Sequence, residues 1–124
     1  MRIDINGNEV FYGTGSGTPS DAANTLIFVH GAGFDHTIWV MPARYFARHG
    51  WRVVALDLPG HGRSQGQALT SIAQMADWLA QVIDAVSPNQ QASLVGHSMG
   101  SLVAMSLAAR HANKVRKLAL LGTS

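Results

Sequence analysis

Apolar positions along this chain follow two different periods. Between Arg2 and Tyr12 they alternate with polar ones around Asn6-Gly7, the pattern of two antiparallel strands joined by a tight turn. Later the apolar positions come in short continuous runs: Thr25 to Val29, Arg52 to Asp57, Ala92 to Val95 and Lys117 to Leu121. Such runs suit strands buried on both faces of a parallel sheet. Between them the spacing is helical. Ile38 to His49 carries Ile38, Met41, Tyr45, Phe46 and Ala47 on one side and Arg44 and Arg48 on the other, with Pro42 in its first turn and Gly50 as its stop. Ile72, Met75, Ala76, Leu79, Ile83 and Val86 recur at helical spacing behind a capping box, Ser71 with Gln74, and end at Ser87-Pro88. Ser101 to His111 repeats the pattern through Leu102, Val103, Met105, Leu107 and Ala108, which predicts a buried helix. Strands that alternate with helices at this spacing form right-handed βαβ units. The predicted class is therefore α/β: a predominantly parallel sheet with helices on both faces, opened by an antiparallel hairpin and closing at Gly122-Thr123-Ser124.

Composition narrows the functional classes. A length of 124 residues is one domain or part of one, and 47% hydrophobic against 13% charged residues supplies a core without any signature of disorder. Nine basic and seven acidic residues leave a net charge of +2, and the basic ones are scattered apart from a mild cluster at 110–117 beside a helix end, so no nucleic-acid face is expected. With no cysteine there is no disulfide framework and no thiolate chemistry. No apolar signal core and no run of 18 apolar residues occurs, so the expectation is a soluble, cytoplasmic protein without a membrane partner. Neither a metal nor a cofactor is expected, because no metal-ligand spacing appears and Gly13-Thr14-Gly15-Ser16-Gly17 lacks the Lys-Ser/Thr ending of a phosphate loop and leads into no helix.

The candidate chemistry sits at Gly96-His97-Ser98-Met99-Gly100, between the strand at 92–95 and the helix at 101–111. A serine on a sharp strand-to-helix turn is held clear of the sheet on strained backbone, and the residues two before and two after it must be small because strand and helix cross there. The helix that follows aims free N–H groups at the serine. Two further glycine-rich turns, His30-Gly31-Ala32-Gly33 and Asp57 to Ser64, end other buried strands at the same edge of the sheet, where ligands of such sheets gather. None of the six histidines pairs convincingly with Ser98. His97 adjoins it and faces elsewhere; His30 and His61 suit turn bracing; His49 and His111 suit helix ends. His36 follows the first buried strand and could border a pocket, while Asp35 and Asp57 suit turn capping.

Together, His30-Gly31, Trp39, Asp57-Leu58-Pro59-Gly60-His61-Gly62-Arg63-Ser64 and Gly96-His97-Ser98-Met99-Gly100, in this order, resemble the α/β-hydrolase fold family from about residue 2 to residue 124. The resemblance implies that Ser98 is the nucleophile and that the backbone N–H groups of Met99 and Ala32 form an oxyanion hole. It implies a serine esterase acting on a small-molecule carboxylic ester or thioester, with carbon–carbon bond hydrolysis, peroxide-forming chemistry or non-catalytic ligand binding as alternatives on the same scaffold. In that family the acid and the histidine follow the nucleophile along the chain. Residues 1–124 therefore read as the N-terminal part of one such domain, an incomplete α/β-hydrolase fold, with both partners and any cap beyond residue 124. By themselves they are expected to be nearly inactive and to self-associate through an exposed sheet edge.

Overall fold

The computed structural model describes residues 1–122 of the chain. Strands β1 (Arg2–Ile5) and β2 (Asn8–Gly13) form the expected hairpin. Its turn has positive φ at both Asn6 (54°) and Gly7 (84°), a conformation that asparagine and glycine adopt most readily. The remaining strands are β3 (Thr25–Val29), β4 (Arg52–Leu56), β5 (Ala92–His97) and β6 (Val115–Leu121), interleaved with helices α1 (Val40–Arg48), α2 (Ile72–Val86) and α3 (Met99–Arg110). The sheet runs β1-β2-β4-β3-β5-β6, antiparallel from β1 to β4 and parallel from β4 to β6. The predominantly parallel sheet and its leading hairpin are as the sequence pattern predicts. Gly122 ends the described chain; the rest of the Gly122-Thr123-Ser124 stretch lies outside the described residues.

The alternation of side chains along the strands divides the core in two. Ile27, Val29, Val54, Leu56, Ala92 and Leu94 face α2 and α3, where Leu79, Ile83, Val103, Ala104 and Leu107 are fully buried. Leu26, Phe28, Val53 and Ala55 face the other way, against Trp39 and Ala43. α1 departs from the expectation. Its buried side is Trp39 and Ala43 with Phe46 and Ala47 partly covered, whereas Ile38, Met41 and Tyr45 are exposed. Residues 36–39 form a 3-10 turn, which rotates the apolar positions relative to a continuous α-helix. α3 begins two residues earlier than its apolar spacing suggests, and Leu102 and Met105 are exposed rather than buried. Leu118 and Leu121 of the edge strand β6 are exposed as well.

Helix ends hold two local clusters of side-chain hydrogen bonds. Ser71 Oγ accepts from the Gln74 N–H at 3.1 Å, but Gln74 Oε1 reaches back to the N–H of Thr70 (3.2 Å) and not to that of Ser71, so only half of the capping box forms. Asp77 on α2 accepts two hydrogen bonds from Arg110 (3.0 and 2.7 Å) and one from His111 Nε2 (2.8 Å), which clips α2 to the end of α3. These donors, Arg110 first, hold the Asp77 carboxyl at about 2 against an ordinary 3.8. A carboxylate depressed in the folded state adds stability above its unfolded pKa and loses it as pH falls through the folded value. Asp77→Asn is therefore expected to lower the melting temperature slightly at neutral pH, and the difference should vanish between pH 4 and pH 2. Because the pair is exposed, 0.5 M salt should shrink it too. Melting curves across this pH range check it; a difference independent of pH would exclude the ion pair as its cause.

Candidate active site at the strand-to-helix turn

Ser98 lies between β5 and α3, exposed, with φ 55° and ψ −120°. An L-residue pays roughly 1–3 kcal/mol for such a conformation, so the surroundings must impose it. They do so through hydrogen bonds and close approach. The Ser98 N–H donates to Leu121 O of β6 (2.9 Å), the Ser101 N–H donates to Ser98 O (2.9 Å), and the buried Ser101 Oγ lies 2.8 Å from Gly96 O and 3.0 Å from Leu121 O. The sequence marks Ser101 only as the start of a helix; its position five residues after Gly96 carries no signal of this pinning role.

The two glycines of the pentapeptide are required by contact. A Cβ on Gly96 would stand 2.5 Å from Gly100 O, and one on Gly100 would stand 2.1 Å from Val29 O and 2.7 Å from His30 O. α3 thus rests backbone to backbone on β5 and on the end of β3. The turn after β3 approaches as closely, since a Cβ on Gly31 would lie 3.1 Å from Ser98 Cβ. Ala32, the next residue, is exposed, and Met99 is the first residue of α3. Neither N–H has a hydrogen-bond acceptor among the described residues. The structure therefore brings together Ser98, Met99 and the turn that carries Ala32.

That turn is braced from below. His30 is fully buried; its Nδ1–H donates to Gly31 O (2.7 Å) and its Nε2 accepts the Leu58 N–H (3.0 Å). Burial lowers its pKa, the Gly31 carbonyl opposing, so the ring stays neutral and keeps this one tautomer. The Asp57 turn is built in the same manner. Buried Asp57 accepts from the His36 N–H (2.7 Å), His36 Nδ1–H (2.9 Å) and the Arg63 N–H (2.8 Å), and Gly62 leaves no room for a side chain against its carboxylate. Asp35 caps the 3-10 turn through Thr37, whose hydroxyl and N–H lower its pKa. Asp35, His36 and Asp57 thus cluster as turn anchors. His36 does border a hollow, of about 290 Å³ with Tyr12, Val40 and Ala43, but none of Ser98, Met99 or Ala32 lines it.

Three more histidines are engaged away from Ser98: His49 Nδ1–H with Tyr45 O (2.6 Å), His61 Nδ1–H with Pro59 O (3.1 Å) and His111 with Asp77. Among the described residues, no histidine–carboxylate pair includes Ser98. A larger hollow, of about 450 Å³, lies at the opposite end of β4, lined by Tyr12, Arg52 and Val54.

A raised serine with a free N–H on the next residue and a glycine-rich turn packed against it can receive an acyl group and hold a negative oxygen. Comparison with known proteins agrees on the scaffold. A family model described as the alpha/beta hydrolase fold matches residues 24–124. The chain belongs to the α/β-hydrolase fold family. Among curated relatives of this α/β-hydrolase chain, the (E)-2-((N-methylformamido)methylene)succinate hydrolase of Acinetobacter baylyi is 30% identical over 98% of the chain and 43% of its own length. The pimeloyl-[acyl-carrier protein] methyl ester esterase of Neisseria meningitidis is 41% identical over 81% of the chain and 36% of its own. Among solved structures, a membrane phospholipase A superposes with a TM-score of 0.85 and 34% identity, covering 97% of the chain and 38% of that structure. The chain spans less than half the length of these relatives. Among the described residues, no helix is long and apolar enough to cross a membrane.

Proposed function

We infer that this α/β-hydrolase chain carries the nucleophile and oxyanion hole of a serine hydrolase that cleaves a carboxylic ester or thioester of a small apolar acid. The observation that carries the reading is the strained, exposed Ser98, followed by the acceptor-free N–H of Met99 and packed against the turn that carries Ala32, whose N–H also lacks an acceptor among the described residues. Ser98 Oγ attacks the carbonyl carbon while a histidine takes its proton. The carbonyl oxygen becomes an oxyanion held by the two N–H groups, and the alcohol or thiol leaves with the proton returned by the histidine. Water then splits the acyl-enzyme by the same route in reverse, releasing the acid. The histidine and its acid come from later in the protein, in the order that the family's pattern implies. That one relative is a methyl ester esterase supports an ester as the scissile group.

Labelling with a fluorophosphonate tests this, since an activated serine displaces its fluoride and becomes phosphonylated. Incubated with the full-length protein, it should add one phosphonyl group, and peptide mass spectrometry should place the group on Ser98. An unlabelled protein, or an adduct on another residue, would overturn the reading.

A further inference from the structure

Three buried polar side-chain atoms lack a hydrogen-bond partner among the described residues: Trp39 Nε1, Ser93 Oγ and His97 Nδ1. An unpaired buried polar atom costs about 1–3 kcal/mol, so each calls for a reason. Five of the six histidines have a bonded ring nitrogen; His97 is the exception, and it adjoins Ser98. Its ring is wedged between the turn after β3 and Gly122 at the end of β6. A Cβ on Gly31 would lie 3.6 Å from His97 Nδ1, and one on Gly122 would lie 3.8 Å from Nε2. Phe34 meets the ring edge-on at 6.1 Å and Trp39 at 6.4 Å. Aromatic packing alone would be served equally by phenylalanine, without the unpaired nitrogen. The nitrogen faces the Gly31–Gly33 turn, whose carbonyl at Gly31 is already tied to His30 and to the Phe34 N–H (3.2 Å).

We propose that His97 is a positioning residue: its Nδ1 lone pair accepts an N–H of a glycine in the Gly31–Gly33 turn, leaving that of Ala32 free, as the turn tightens around an oxyanion on Ser98. Catalytic hydrogen bonds are often long or absent at rest and form as the transition state is reached. A bond of this kind contributes to rate without contributing to the resting fold. The inference rests on the serine-hydrolase reading above, and the experiment separates the two.

In the full-length protein, His97→Phe keeps a ring and removes the acceptor, whereas His97→Asn places its Oδ1 at the same two-bond distance from Cβ as Nδ1. His97→Phe should lower both kcat on an activated ester and the rate of fluorophosphonate labelling about 10- to 100-fold, somewhat less than the loss of an oxyanion donor itself. KM should stay within about twofold, because the bond is absent from the ground state. The melting temperature should hold or rise, since an unpaired buried atom has gone. His97→Asn should recover most of the rate. An unchanged kcat in His97→Phe overturns the proposal. So does a fall of kcat together with melting temperature, which would assign Nδ1 a structural partner such as the Trp39 indole, and so does an Asn variant no better than Phe. Labelling of the wild-type protein that is absent, or that survives removal of the Ser98 hydroxyl, fails the hydrolase reading itself and takes this one with it.

Discussion

Ser98→Ala in the full-length protein is expected to lower kcat for an activated ester by about 10⁴-fold or more, the scale seen when a catalytic serine is removed and only the oxyanion hole and substrate binding remain. At 1.36 kcal/mol per factor of ten, that is about 5.5 kcal/mol of transition-state stabilisation. The fold should scarcely notice, because alanine at φ 55° and ψ −120° is as strained as serine and the backbone bonds from Ser98 to Leu121 and Ser101 persist. Ser98→Gly should separate the two quantities further. Glycine relieves about 1–3 kcal/mol of backbone strain against an entropic cost of about 0.5–1 kcal/mol, so the variant should be inactive and more stable than the wild type. Ester turnover and urea midpoints of the two variants check this. Residual activity in Ser98→Ala above a tenth of the wild-type value would show that another group attacks the substrate. A Ser98→Gly variant less stable than Ser98→Ala would show that the turn is not strained.

The scaffold was legible in the sequence because each element reports its own environment. β3 is buried at all five positions and has no polar member besides Thr25, so its run of apolar residues could be read only as a central strand. The Asn6-Gly7 turn and Ser87-Pro88 stop were equally local. The turn at Ser98 was legible for a further reason: Gly96 answers a collision with Gly100 and Ser101 a few residues on, so spacing carries that half of the signal, whereas the need for Gly100 comes from Val29 and His30, distant in sequence. What escaped was set by partners distant in sequence. Ile38, Met41 and Tyr45 share a helical face on paper, yet that face is exposed, because the 3-10 turn and the seat of Trp39 on Phe28 (5.0 Å between rings) choose Ala43 as the buried side. Leu102 and Met105 look like core residues by type and lie on the uncovered side of α3. The contacts of Ser101 and His97 with β6 and with the turn after β3 follow from strand order, which no periodicity encodes.

The steric reading of the pentapeptide has a second large consequence, this time for folding. Gly100→Ala should destabilise the full-length protein by about 4 kcal/mol or more, a size reserved for a few mechanisms, overpacking among them. Its Cβ would meet Val29 O at the end of β3, at 2.1 Å, and the carbonyl oxygen of the fully buried His30 just after it, at 2.7 Å; both are main-chain atoms, and Val29 is paired with Gly96 of β5. Neither can swing away as a side-chain tip would. α3 would have to lift off the sheet by roughly an ångström, and the close packing of Val103, Ala104 and Leu107, all fully buried, would be lost along with it. Gly50→Ala supplies the contrast. Gly50 has φ +88° but nothing within 4 Å of a Cβ, so only the left-handed backbone is penalised, at about 1–2 kcal/mol. Urea unfolding of the two variants, read beside the wild type, separates collision from conformation. Should Gly100→Ala cost no more than Gly50→Ala, the crossing of helix and strand has room to spare, and steric compulsion would no longer explain why glycines flank Ser98. With a total stability of only about 5–15 kcal/mol for a typical domain, the expected loss at Gly100 is enough to deplete the folded, labelling-competent population as well.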